Sequence, residues 1–217
     1  MKNNAFTLSE VLITLGVIGV VSAITLPVIS GIYKKAITKN QIKQAYSLIS
    51  NAVNRVAMDD DYPHNCYYGL DGLSGNRSEC GEFFNGVISK LETTKVCENN
   101  SFANGCVPDY KTEDFPTDIN CEGFKARSIK ISSKSALLKN GIIIFSYGTN
   151  NNMAPIIAFD INGFKGPNKP GHDVYAMRLS AKQHGFPVYG LSNDRIVECM
   201  QKSDSTVLFK RLSEVNK

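Results

Sequence analysis

The chain has 217 residues, 42% hydrophobic and 20% charged, which is enough for one ordinary globular domain plus appendages. Its formal net charge of +4 is mild, and no arginine-rich stripe or basic–aromatic alternation points to nucleic acid. Six cysteines without a C-x-x-C pair give zinc little support and favour disulfides in an oxidising compartment.

The chain opens on an apolar segment, "NNAFTLSEVLITLGVIGVVSAITLPV" (residues 3–28), in which Glu10 stands at the mouth of the run. From Val11 to Ile32 no residue is charged, and about 20 apolar residues suffice for a helix to cross a bilayer. Three readings fit: a secretory signal peptide, a plain membrane anchor, or a more specialised segment. Val21-Ser22-Ala23 is an acceptable small-residue cleavage site. The leader, with Lys2 as its single charge, and Glu10 itself both speak against a signal peptide. Charge bias raises a conflict. Lys34, Lys35, Lys39 and Lys43 follow the span and favour a cytoplasmic C-terminal side. The cysteines beyond it favour the opposite.

The string "A-FTLSEVLITLGVIGVVSAITLP" resembles the processing motif of type IV prepilins and of the pseudopilins of type II secretion, over about the first thirty residues. The resemblance implies a leader of residues 1–5, cut by a prepilin peptidase between Ala5 and Phe6, and N-methylation of Phe6. It makes Glu10 the glutamate at the fifth position after the cut, and Pro27 the helix-loosening proline. It implies insertion in the inner membrane with the C-terminal part in the periplasm, which settles the lysine conflict, and other pilin or pseudopilin subunits as partners. One position departs from the pattern. The family usually has glycine before the cut, and slower cleavage is expected at Ala5. A lone carboxylate entering hydrocarbon costs several kcal/mol unless paired. The new amine of Phe6, on a neighbouring subunit, is the cation that Glu10 would neutralise during assembly.

Gly16, Gly19, Ser22 and Ala23 put small residues on neighbouring turns, with Gly19 and Ala23 at small-xxx-small spacing for close helix approach. Pro27 removes a main-chain donor and Gly31 weakens the same region, so a kink or local melting is expected between Ser22 and Gly31. After the span (residues 6–32) the helix continues over 33–61 as an amphipathic stretch. Ile42, Ala45, Tyr46, Ile49, Ala52, Val53 and Val56 recur at helical intervals as one stripe. The helix ends near Asp59-Asp60-Asp61, roughly 75–80 Å from Thr7 at about 1.5 Å per residue.

Residues 62–217 form the globular part. "YPHNCYYGLDGLSGNRSEC" reads as loop, "GEFFNGVISKLETTKVC" as a short helix with Phe84, Val87, Ile88 and Leu91 on one side, and residues 98–124 as loop again. Disulfides, each worth about 2–4 kcal/mol, would fasten such a stretch. Proximity pairs Cys66 with Cys80 and Cys97 with Cys106, leaving Cys121 for Cys199. Strand signals begin at "SIKIS" (residues 128–132). Asn140-Gly141 and Asn162-Gly163 each mark a hairpin, and "DVYAMRL" a further strand. A meander of about four strands is expected to pack on the helix stripe. The tail reads as two helices, the first capped by Ser192, the second carrying Val207, Leu208, Arg211, Leu212 and Val215.

"FDINGFKGPNKPGHDVY" (residues 159–175) is the most motif-like stretch of the globular part, and Asp160, Asn162 and Asp173 are weak calcium candidates. An EF-hand does not fit, because Gly171 occupies the twelfth position, where a bidentate glutamate is required. An Asn-Gly turn followed by a Gly/Pro-rich connection is the plainer reading. His64, His172 and His184 have no marked nucleophile, and no G-x-S-x-G, H-E-x-x-H or P-loop is present. Enzyme activity and other cofactors are not expected. The expectation is an α+β protein: a long N-terminal helix, membrane-spanning in its first half, against an antiparallel β-sheet with a disulfide-tied loop-rich insertion and short C-terminal helices. It would be a subunit, of the minor kind given its size, of a type IV pilus or type II secretion pseudopilus. The alternative is a membrane-anchored or secreted binding protein that does not polymerise.

Overall fold

The computed structural model describes residues 7–58, 77–116, 125–146, 156–181, 189–192 and 199–214. The chain divides into two compact units, one ending at Asn40 and the other starting at Gln41.

Helix α1 runs over Leu8–Ala57. In the first unit its large apolar residues stand exposed, Leu12 at 62% and Ile24 at 68%. The segment is long and apolar enough to cross a membrane, and none of its most apolar window is buried. The expected melting does not occur: the helix passes through Pro27 and Gly31 unbroken. Pro27 forfeits one main-chain bond, to the Ala23 carbonyl. Melting a turn would forfeit several more. Hydroxyls nearby bond back to the main chain, Thr25 Oγ1 to the Val21 carbonyl and Ser30 Oγ to the Pro27 carbonyl, both at 2.9 Å.

In the second unit, all seven residues of the α1 stripe, from Ile42 to Val56, are buried in one core with the sheet residues. Helix α2 (Arg77–Ser89) adds Phe83, Phe84, Val87 and Ile88, with Leu91 half-buried beyond its end. The helix expected to reach Cys97 stops at Ser89. Thr93, Thr94 and Val96 are β-branched, and "TTKVC" forms strand β1 (Thr93–Cys97) instead.

A second correction concerns "SIKIS". Residues Ala126–Ile131 form the short helix α3, in which Ala126 and Ile129 are buried three positions apart while Ile131 is 48% exposed. A strand would have put Ile129 and Ile131 on the same face. Strands β2 (Ser135–Leu138), β3 (Ile143–Ser146), β4 (Ile156–Asp160), β5 (Val174–Ala181) and β6 (Tyr189–Ser192) then complete the sheet. The order is β1-β2-β3-β4-β5-β6, every neighbour antiparallel. Among the described residues the meander therefore has six strands rather than about four. Asn140-Gly141 makes the expected hairpin, with Gly141 at φ +87°. Asn162-Gly163 does not. Asp160 pairs with Val174, so a loop covering residues 161–173 joins β4 to β5.

Ser192 is the last residue of β6, and residues 193–198, where the helix expected after it would begin, lie outside the described residues. Helix α4 (Asp204–Glu214) is capped by Ser203, whose Oγ accepts the Thr206 N–H at 3.2 Å. Its inward face carries Thr206 and Phe209, with Leu208 and Leu212 half-buried, while Val207 is 52% exposed. On one sheet face Phe209 packs against Phe159 and Tyr175, with ring centroids 5.8 and 4.9 Å away. On the other, Tyr110 lies against Phe145 at 6.0 Å, with Phe115 beside it.

Candidate functional site

The start of α1 is where the sequence places the chemistry of processing and assembly. Ala5 and Phe6 lie outside the described residues. Glu10 is described and closes a capping box with Thr7. Thr7 donates to Glu10 Oε2 from both its main-chain N–H and its hydroxyl, each at 2.8 Å. Glu10 returns its own N–H to Thr7 Oγ1 at 3.3 Å. The reciprocal pair satisfies donors that the first helical turn otherwise leaves open. The signal was present in the sequence as Thr7-x-x-Glu10, followed by an apolar run. Both of Thr7's bonds fall on Oε2, and Oε1 takes no part in them.

The second candidate is the loop between β4 and β5. Here the structure does bring Asp160, Asn162 and Asp173 together. Asp160 and Asp173 are buried. Asp160 Oδ1 accepts the N–H groups of Asn162 at 3.1 Å and Gly163 at 2.8 Å, and its Oδ2 accepts the Tyr110 hydroxyl at 3.0 Å. Asp173 Oδ1 and Oδ2 accept the Lys169 and Asn168 N–H groups, each at 2.7 Å. Calcium takes six to eight oxygen ligands. Here the four carboxylate oxygens already face five hydrogen-bond donors, which occupy the directions a cation would need. Asn162 Oδ1 is buried without a hydrogen-bond partner among the described residues, but one amide oxygen does not make a cage. The residues therefore do not fit calcium. Nor do the described residues contain a group of three or more His, Cys, Asp or Glu able to hold a metal.

The electrostatics agree with a closed structural knot. Burial, and then the charge of Asp173, push Asp160 well above the usual carboxylate range. Burial also raises Asp173. Tyr110, wholly enclosed and beside Asp160, is pushed far up and stays a donor. Around this pair the loop closes on three distant segments. Gly163, at φ +63°, meets the carbonyl of Gly141 in the β2–β3 turn. Gly171, at φ +80°, is packed against the Gln201 carbonyl. Its own carbonyl accepts the Thr206 hydroxyl at 2.7 Å and a short bond from the Ser203 hydroxyl. Lys169 pairs with Asp114 at 2.6 Å. Tyr110, Ser203 and Thr206 were not singled out from the sequence, because nothing local marks a partner 32 to 50 positions away.

Of the cysteines, Cys97 and Cys106 are joined as expected, closing the loop after β1 with Cα atoms 6.3 Å apart. Cys199 is also disulfide-bonded. Cys66 and Cys121 lie outside the described residues, as does the side chain of Cys80, although its backbone belongs to α2. His64 and His184 lie outside them too. His172 is half-buried, and its carbonyl accepts the Tyr175 hydroxyl at 2.6 Å. Comparison with protein-family models, curated proteins and solved structures finds no match to this chain.

Proposed function

We propose that the chain is a prepilin-like subunit, cut between Ala5 and Phe6, methylated at Phe6, and assembled through α1 into a type IV pilus or type II secretion pseudopilus. The observation that carries the reading is the two-part character of one helix. The first part of α1 exposes an apolar surface on every side, and its later part lies in the core of the second unit. An apolar helix exposed on all sides needs lipid or other helices around it. A bilayer before assembly and a bundle of like helices after it both supply that. In this reading Glu10 acts twice. Oε2 holds Thr7 and fixes the first turn, and Oε1 receives the Phe6 amine of a neighbour. The C-terminal unit then faces the periplasm or the exterior, where the disulfides persist.

Two measurements test this. Intact mass of the purified protein should correspond to a chain starting at N-methylated Phe6. A chain starting at Ile24 would instead establish the secreted binding protein. Glu10→Gln keeps an oxygen for Thr7 and loses the charge, so it should insert normally and fail to enter filaments. Normal incorporation of that variant sinks the role assigned to the carboxylate.

A further inference from the structure

We infer that Asn140 is a site of spontaneous covalent modification. Its side chain closes on the Gly141 nitrogen, releases ammonia and leaves aspartate or isoaspartate at the tip of the β2–β3 hairpin. The chemistry needs only water and does not depend on how the chain is used.

The chain holds four Asn-Gly pairs, at 85–86, 104–105, 140–141 and 162–163. Glycine has no Cβ to obstruct attack by its own nitrogen, so each pair is competent in an unfolded chain. The fold treats them differently. Asn85 and Gly86 lie inside α2, where the helix turns the Gly86 N–H toward the carbonyl four residues back. Asn162 Nδ2 bonds to the Gly166 carbonyl at 3.3 Å, and the N–H of buried Gly163 is held by Asp160 Oδ1 at 2.8 Å. Asn104 is exposed, but its Nδ2, the leaving group, is tied to the Asn99 carbonyl at 3.0 Å. That pair also lies inside the loop closed by the Cys97–Cys106 disulfide.

Asn140 is exposed as well, and its side chain is held by the oxygen instead. Oδ1 accepts the Ile142 N–H at 3.1 Å, which folds the side chain across the main chain of Gly141. The same bond draws electrons from Cγ and supplies a donor where negative charge gathers as the nitrogen adds. The opposing contact is a turn bond, from the Gly141 N–H to the Leu138 carbonyl at 3.0 Å. It sits at a hairpin tip, where local opening costs least.

In the first step the bond from the Gly141 nitrogen to Cγ forms and the Cγ–Nδ2 bond breaks. The Gly141 proton leaves with the amide nitrogen as ammonia. Water then opens the cyclic imide. Attack at Cγ gives aspartate. Attack at the Asn140 main-chain carbonyl gives isoaspartate, which routes the chain through Cγ and lengthens it by one carbon. The lengthened turn reaches a second element. The Gly141 carbonyl lies so close to Gly163 that it leaves no room there for a Cβ. Isoaspartate at position 140 displaces that carbonyl and loosens the β4–β5 loop.

The test is peptide mapping by mass spectrometry of the full chain in detergent, disulfides intact, at mildly alkaline pH, beside the same chain reduced and denatured. The denatured chain should exchange amide for acid at all four pairs. In the folded chain Asn140 should react faster than Asn104 by about 5-fold or more, the factor that one extra hydrogen bond supplies. Asn85 and Asn162 should stay intact there. The isoaspartate fraction should melt below the unmodified chain, whereas Asn140→Asp, which keeps the ordinary main chain, should melt with it. An Asn140 that reacts no faster than Asn104 overturns the site. So does an Asn140 that stays intact in the fold while the denatured chain reacts. An isoaspartate fraction that melts with the unmodified chain overturns the link to the β4–β5 loop.

Discussion

A methyl group on Gly163 would stand 2.2 Å from the Gly141 carbonyl oxygen, and one on Gly171 would stand 2.1 Å from the Gln201 carbonyl oxygen. Both glycines are left-handed, a conformation that alone costs a side-chain-bearing residue about 1–3 kcal/mol. Gly163→Ala and Gly171→Ala should therefore each destabilise the second unit by at least that amount, measured by denaturant unfolding with disulfides intact. Gly166 has open space around its Cβ position and should tolerate alanine far better. The buried carboxyls make a pH prediction. In the unfolded chain Asp160 and Asp173 titrate near their ordinary 3.8, and in the fold both lie higher. The folded state then binds these protons more tightly. Stability is full below about pH 4 and declines as pH rises through the folded values. The melting temperature should be higher at about pH 5 than at about pH 8, and Asp160→Asn should flatten the difference. Tyr110→Phe removes the donor to Asp160 Oδ2 and should cost about 1–3 kcal/mol. That Asp160, Asn162 and Asp173 belong together was legible from the glycine-punctuated string. What they do was not, because four of the five donors are main-chain N–H groups whose aim depends on the finished turn, and the fifth is Tyr110.

Among the elements, length decided what the sequence disclosed. The second part of α1 repeats its apolar residues over four turns, so seven positions from Ile42 to Val56 named the buried face without error. Asn140-Gly141 was equally plain, since a two-residue turn carries its own backbone requirement. Elements of four to six residues hold too little period to identify themselves. Ile129 and Ile131 alternate like a strand, yet Ala126 and Ile129 are the inward pair of α3. Helix α4 shows the same ambiguity within a correctly expected helix: the sequence favoured Val207, and the core receives Phe209. The two positions separate experimentally. Phe209 is buried against Phe159 and Tyr175, so Phe209→Ala should cost about 3–5 kcal/mol by cavity formation. Val207→Ala, on the exposed side, should stay within about 0.5 kcal/mol. Comparable losses at both positions would mean that α4 faces the sheet differently.

At the scale of the whole chain, the division after Asn40 coincides with a change in what the surface requires. Among the described residues, every buried hydrophobic residue of the core lies at Ile42 or beyond. The fold of the second unit therefore does not need the first. A fragment covering Gln41–Lys217, oxidised, should remain soluble without detergent and unfold cooperatively at the same temperature as the detergent-solubilised full chain, to within a few degrees. The converse substitution belongs to the same argument. Leu15→Arg places a charge in the middle of the apolar segment, at a cost of about 2.5–3.5 kcal/mol on insertion scales. It should reduce membrane insertion and leave the unfolding transition of the second unit in place. A fragment that aggregates, or a Leu15→Arg chain whose globular unit melts early, would show that the apolar helix stabilises the core as well as seeking lipid. If both results come out as expected, the first unit is free of any folding duty. Its apolar surface and its capped start at Thr7 and Glu10 then answer to something other than the fold of the second unit.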